Sequence, residues 1–340
     1  MRAGMWSEQE EIDSLEMQRP HLVILGAGAS LAAFPGGDRN GHRLPVMRNL
    51  IEVVGLTQLC RDANIPEPYD DFEAIYSDIA QAQKQERLKT EIETRIYSYF
   101  QSLSLPDTPC LYDHLILCLR KKDVIATFNW DPFLCQAARR NRNFAELPTM
   151  LFLHGNVAFT YCPDCKTAFP FQAICPRCSH ALVKSPLLFP VKRKDYQNDP
   201  AIAHHWMRFE FFLKNAWALT IFGYGAPKTD VEAVRVMKDG WGDVKKRNLE
   251  QTEIIDIRAK TDIGATWSPF IHTHHYDIRN SFYGSYIARH PRRSGEALWA
   301  QLMECRFLED RSFPRDLPFE KLYEWLKPRV DAEIKGSHKN

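Results

Sequence analysis

Hydrophobic positions along this chain follow two kinds of pattern, and their order predicts an α/β protein. The segment His21 to Leu25 (HLVIL) is an apolar run that stops at Gly26-Ala27-Gly28-Ala29-Ser30. A buried parallel strand feeding a tight glycine turn, then a helix, has this pattern. From Pro45 to Cys60 and again from Asp70 to Leu103, apolar residues recur every three or four positions between charged ones, which predicts amphipathic helices. Alternation then begins, with predicted strands over 123–128, 150–153, 217–222 and 253–257 and predicted helices over 132–141, 201–216 and 229–237. Strands alternating with helices predict a doubly wound parallel, Rossmann-like sheet, whose ligands bind beyond the carboxyl ends of the strands. After Arg258 the pattern weakens. Aromatic and basic residues crowd 267–293, a proline-rich stretch (SFPRDLPF) precedes a last predicted helix over 320–334, and the final KGSHKN should fray.

The expected layout is an N-terminal extension over 1–20, a nucleotide-binding sheet over 21–157 and 191–260 with a helical segment at 45–105, a small inserted module over 158–190, and a C-terminal aromatic and basic region over 261–340. Composition agrees with a folded globular chain: 340 residues, 44% hydrophobic and 26% charged. A formal net charge of +1 provides no bulk field for nucleic acid or an anionic membrane. No run approaches the roughly 18 to 20 apolar residues of a membrane span, and the first twenty residues have no apolar core like that of a signal peptide, so a cytoplasmic location is expected.

Of nine cysteines, Cys60, Cys110, Cys118, Cys135 and Cys305 lie scattered among apolar neighbours, as reduced packing residues do. The other four are different. Cys162-Pro-Asp-Cys165 and Cys175-Pro-Arg-Cys178 are two CxxC knuckles nine residues apart, a spacing that lets four thiolates converge on one zinc ion. Four thiolates close the coordination shell, so the ion is expected to be structural, with no open position for water. His180 is not needed as a ligand.

Glycines at 26 and 28 remove the side chains that would keep an anion from the backbone, and Ser30 can add a hydroxyl donor. The full GxGxxG fingerprint is absent because Leu31 stands at its third glycine, and no Gly-Lys-Ser/Thr follows the turn, which disfavours an ordinary dehydrogenase and a Walker-type loop. Thr127-Phe128-Asn129-Trp130-Asp131 and His154-Gly155 end two other predicted strands. They should therefore project Asn129, Asp131 and His154 from the same edge. A third segment, Thr220 to Pro227 (TIFGYGAP), again ends a strand in glycines. His272, His274 and His275 lack an evident carboxylate partner and are taken as a loop cluster. Tyr283, Arg292 and Arg293 are expected at the surface, without a role.

In the order GAGAS, TFNWD, LHG, CxxC, CxxC, IFGYG, the chain resembles the sirtuin family over about residues 20 to 260. The resemblance implies a Rossmann-like fold that binds NAD+, with structural zinc in the insertion. Gly26, Ala27, Gly28 and Ser30 would cradle the pyrophosphate. Thr127, Asn129 and Asp131 would line the nicotinamide-ribose pocket, His154 would be the base, and Gly223 and Tyr224 would approach the adenosine side. The chain departs from the deacylases where they carry GIPxFR-type and FGE-type segments, which here read LAAFPGGDRNGHRLPV and SPLLFPVKRK, and where Phe128 replaces the glutamine of TQN. These departures resemble the divergent bacterial sirtuin-like proteins of antiphage defence. That resemblance implies an NAD+ hydrolase releasing nicotinamide and ADP-ribose, controlled by oligomerisation or by a partner protein such as a ring-forming ATPase. The alternatives are an NAD-dependent deacylase or ADP-ribosyltransferase, and a non-catalytic NAD or ADP-ribose sensor or scaffold.

Overall fold

In a computed structural model of the chain, six parallel strands form the central sheet. The structure describes all residues except 1–3, 83–84, 166, 191–199, 227–229, 244, 248–249, 272–275, 310 and 338–340. The strands are β1 (His21–Leu25), β2 (Val124–Thr127), β3 (Thr149–Phe152), β4 (Ala218–Phe222), β5 (Gln251–Ile255) and β6 (Tyr276–Arg279). Their spatial order is β3-β2-β1-β4-β5-β6. This is the doubly wound order, and the chain reverses direction across the sheet between β1 and β4. Side chains of β1 face cores on both sides. Val23 and Leu25 join one apolar cluster and Leu22 and Ile24 the other, all four fully buried. Burial of this kind contributes roughly 1.5 to 3 kcal/mol per large aliphatic side chain, so a continuous apolar run suits a strand covered on both faces.

Helices α1 (Ala27–Ala33), α2 (Phe72–Gln81), α3 (Glu86–Ser102), α4 (Leu111–Leu117) and α5 (Phe133–Asn141) lie between β1 and β3 in the chain; α6 (Pro200–Asn215) and α7 (Val231–Trp241) flank β4. Toward the C-terminus stand α8 (Ser294–Leu302) and α9 (Phe319–Ser337). In α3 the residues Ile92, Ile96, Tyr97 and Phe100 make the buried stripe that the spacing predicts. The expected helix over 45–60 is instead two short ones, Leu50–Val53 and Thr57–Asp62. Gly55 divides them at φ +76°, a left-handed conformation that ends a helix.

Beyond residue 260, where the pattern assigned no strand, Tyr276–Arg279 pairs in parallel with β5 and completes the sheet. Arg292 and Arg293 are not at the surface: they are 1% and 0% exposed and both pair with Glu333 of α9. Arg292 also donates to the carbonyls of Leu117 and Leu119, so its many donors tie the C-terminal helix to the lead-in of β2. Tyr283 is half-buried, its hydroxyl 2.8 Å from His114 Nδ1. The inserted module is a separate three-stranded antiparallel sheet of Phe159–Cys162, Thr167–Pro170 and Val183–Lys184. No helix among the described residues is long and apolar enough to cross a membrane.

Candidate active site

The β1 and β4 turns touch through backbone, and this contact accounts for their glycines. Gly26 N–H donates to the Phe222 carbonyl at 3.0 Å and Gly28 N–H to the Gly223 carbonyl at 2.9 Å. A Cβ added at Gly26 would stand 2.5 Å from Tyr224 Cα, and one at Gly223 would stand 2.2 Å from Ala29 N, with Gly223 also at φ +64°. Side chains at these positions would push apart the two strands that flank the crossover.

Above the turns a buried polar network forms. Thr127 Oγ1 accepts from Asn129 N–H at 3.0 Å and so fixes the bend where β2 ends. Asn129 Nδ2 donates to the Gly26 carbonyl at 3.0 Å and to Ser30 Oγ at 3.1 Å. Ser30 Oγ donates to Asp131 Oδ2 at 2.7 Å, which leaves the Tyr112 hydroxyl, also 2.7 Å away, as a donor to it. Ser30 thus uses its one proton and both lone pairs. Asp131 Oδ1 accepts the Phe133 N–H at 3.3 Å. Burial dominates over these hydrogen bonds and pushes the Asp131 carboxyl up to about 6. Burial, then the nearby Asp131 charge, holds the Tyr112 phenol well above its ordinary value.

Two members of this network carried no usable sequence signal. Tyr112 lies in LYDHLIL, every residue of which is buried, so the run has no period to mark it as a helix facing the site. Asn156 follows the His154-Gly155 pair. Its Nδ2 donates to the Asp131 carbonyl at 2.6 Å and its Oδ1 accepts from Ala158 N–H at 2.9 Å, bracing the β2 exit against the β3 exit.

His154 lies at the end of β3, 7% exposed, with its ring meeting Phe128 edge-on at 4.9 Å. Phe128 stacks face to face on Tyr224 at 4.2 Å, and the Tyr224 hydroxyl donates to Asp230 at 2.9 Å. The expected residues therefore fall into two groups. Ser30, Asn129 and Asp131 are joined by hydrogen bonds beside the cluster holding Trp130 and Phe133, whereas His154 and Tyr224 both pack on Phe128, which belongs with Tyr224 to the cluster on the other face of the sheet. The adjacent residues Phe128 and Asn129 link them. Pro227, His272, His274 and His275 lie outside the described residues.

In the inserted module the four knuckle sulfurs all lie within 4.8 Å of one another. Cys162 Sγ is 3.5 Å from Cys178 Sγ, and Cys175 Sγ is 3.8 Å from Cys165 Sγ. A disulfide needs about 2.05 Å. Four thiolates on zinc at about 2.3 Å stand about 3.8 Å apart along the tetrahedron edges, and the tetrad fits that geometry. Cys162, Cys165, Cys175 and Cys178 would hold the ion, which closes two loops at once. His180 Nδ1 pairs instead with Asp164 at 2.7 Å.

No protein-family model and no curated protein matches the chain. Among solved structures, a Sir2 homologue in complex with NAD is 14% identical, with a TM-score of 0.43 over 88% of this chain and 98% of that one. A structure described as the basis for the mechanism and regulation of Sir2 enzymes is also 14% identical, with a TM-score of 0.39 over 88% and 97%. Sir2 in complex with an inhibitor, 2′-O-acetyl-ADP-ribose and a deacetylated peptide is 13% identical, with a TM-score of 0.37 over 84% and 94%.

Proposed function

We propose that this chain is a sirtuin-like NAD+ hydrolase that cleaves the nicotinamide-ribose bond. The observation that carries the reading is the convergence of Ser30, Asn129 and Asp131 in one buried network at the β1–β4 crossover, where doubly wound sheets bind their ligands. Gly26, Ala27, Gly28 and Ser30 wall the pyrophosphate. Gly26 and Gly28 act there by bringing backbone close, since their N–H groups are already engaged. Thr127 positions Asn129, and Gly223 and Tyr224 border the adenosine side.

Cleavage breaks the bond between ribose C1′ and the pyridinium nitrogen, and the electron pair leaves with nicotinamide as a neutral molecule. No general acid is needed, so catalysis rests on orientation and on stabilising charge at the sugar carbon. Asn129 holds the ribose or the attacking water. Asp131, ionised above about pH 6, accepts from the nicotinamide amide. His154 takes the proton that water loses as its oxygen bonds to C1′. Phe128, in place of an amide side chain, makes this part of the pocket apolar. Zinc, held by the four cysteines, keeps the inserted module folded and takes no part in the step. Uncontrolled NAD+ loss is toxic, so the reading includes control by self-association or a partner protein such as a ring-forming ATPase, with NAD+ depletion as an antiviral output.

The reading is tested by incubating purified protein with NAD+, with and without an acyl-lysine peptide, and separating the products. Nicotinamide and ADP-ribose in equal amounts without peptide are expected. Turnover only with peptide would make the chain a deacylase, transfer of ADP-ribose to protein would make it a transferase, and tight binding without product would make it a sensor.

A further inference from the structure

Three polar residues interrupt the apolar runs on one face of the central sheet: His21 of β1, Thr220 of β4 and Glu253 of β5, at 2%, 0% and 2% exposure. They form one line of hydrogen bonds. His21 Nε2 stands 2.8 Å from Thr220 Oγ1, and Thr220 Oγ1 stands 3.4 Å from Glu253 Oε2. Both ends of the line meet the C-terminal segment 286–302. His21 Nδ1 is 2.7 Å from Ser294 Oγ, and Glu253 Oε1 accepts the Tyr286 N–H at 3.1 Å.

Each hydroxyl has one proton, and a neutral imidazole donates from one nitrogen and accepts at the other. Burial pushes the His21 imidazole down to about 4, with Asp123 and Lys122 acting on it in opposite senses, so near neutral pH the ring is uncharged. Its tautomer then fixes the direction in which both neighbouring hydroxyls point. Burial also pushes the Glu253 carboxyl up to about 8. The groups that face this carboxyl are the Tyr286 N–H, Thr220, Asp277 opposite it on β6, and Arg279, whose Nε is 3.7 Å from Oε1.

Tyr286 holds Oε1, so a proton on Glu253 sits on Oε2 and faces Thr220. Glu253 then donates to Thr220, Thr220 to His21 Nε2, and His21 Nδ1–H to Ser294. An ionised Glu253 can only accept. Thr220 then donates to Glu253, His21 donates from Nε2, and Ser294 donates to Nδ1. The change releases one proton to solvent and moves the imidazole proton from Nδ1 to Nε2. We infer that this line is a pH-sensitive latch: its direction reverses with the protonation of Glu253, and it docks residues 286–302 on the sheet more tightly in the protonated direction. Undocking would return Glu253 toward water and its ordinary value of 4.5, so docking is fully supported below about 4.5 and loses support as pH rises to about 8.

Nitrogen-15 NMR of the zinc-loaded full chain, labelled at histidine and assigned through backbone connectivities, reads the His21 tautomer. The ring proton is expected on Nδ1 at neutral pH and on Nε2 in alkali, with a midpoint at about 8. Glu253→Gln, with its carbonyl on the Tyr286 N–H and its amide N–H toward Thr220, copies the protonated form and should keep the proton on Nδ1 throughout. Amide hydrogen exchange gives the second readout. Relative to the same amides in Glu253→Gln, residues 286–302 should lose protection about tenfold per pH unit between about 5 and 8, the effect of one proton held more tightly when docked. That comparison cancels the contribution of the His290–Glu11 pair in the same segment. A His21 tautomer that stays the same across this range in the folded parent chain overturns the inference, as does an exchange profile parallel to that of Glu253→Gln. Should the variant not fold, the parent's tautomer alone decides.

Discussion

The crossover of the sheet and the four-cysteine module solve the same problem, holding irregular backbone in place, by opposite means. At the crossover, Ser30, Tyr112, Asn129, Asp131 and Asn156 satisfy one another inside a dense apolar surround, so the chain's own side chains hold the arrangement. In the module, Phe171, Ile174 and Val183 are exposed, and of the knuckle cysteines only Cys162 and Cys175 are buried. A segment this small cannot bury enough apolar surface to offset its chain entropy, and a metal ion supplies the missing cohesion. The contrast teaches that preorganisation at one place is intrinsic to the sequence and at the other is borrowed from an ion.

Breaking the module should give the largest effect. Cys175→Ser, or removal of zinc by a chelator, should take the metal content from about one ion per chain to near zero and open residues 158–190 to proteolysis. Metal analysis and limited digestion check this, and turnover per folded molecule should change little. Breaking the crossover by Gly223→Ala places a Cβ against Ala29 N at a left-handed φ, and should lower stability by at least about 3 kcal/mol in denaturant titration. That loss should be independent of zinc, which separates the two regions.

A finer probe is pH. Asp131 ionises near its usual 3.8 in the unfolded chain but at about 6 when folded, so the folded state holds its proton more tightly. Its contribution to stability is therefore full below the unfolded value and falls as pH rises through about 6, by up to about 3 kcal/mol. Asp131→Asn should remove this slope, making the variant's stability relative to the parent better at pH 8 than at pH 4. Parallel stability curves for the two proteins would show that the carboxyl is not buried as described.

What could be read from the residues alone follows the same division. HLVIL and the apolar stretch ending in IFGYG announce strands covered on both faces, and paired CxxC spacing announces a metal because few other arrangements use four thiols so close together. Tyr276–Arg279 was illegible because an edge strand carrying Asp277 and Arg279 has no apolar run. Tyr112 was illegible because a fully buried helix has no polar face to reveal its period. Arg292 and Arg293 looked like surface charge, since only the fold brings Glu333 to them across some forty residues of chain. The glycines at 26 and 223 were legible as special, yet their first service is to each other across the two turns.

On the proposed reading, the network around Asn129 works on a bound dinucleotide and is more than a structural brace. Measuring nicotinamide release by Asn129→Ala beside the parent chain, with melting temperature and zinc content recorded on the same samples, tests it most directly. At least about a hundredfold loss of release is expected, the scale of a lost transition-state contact, in a protein that still folds and keeps its zinc. Parent-like release from the folded variant would contradict it.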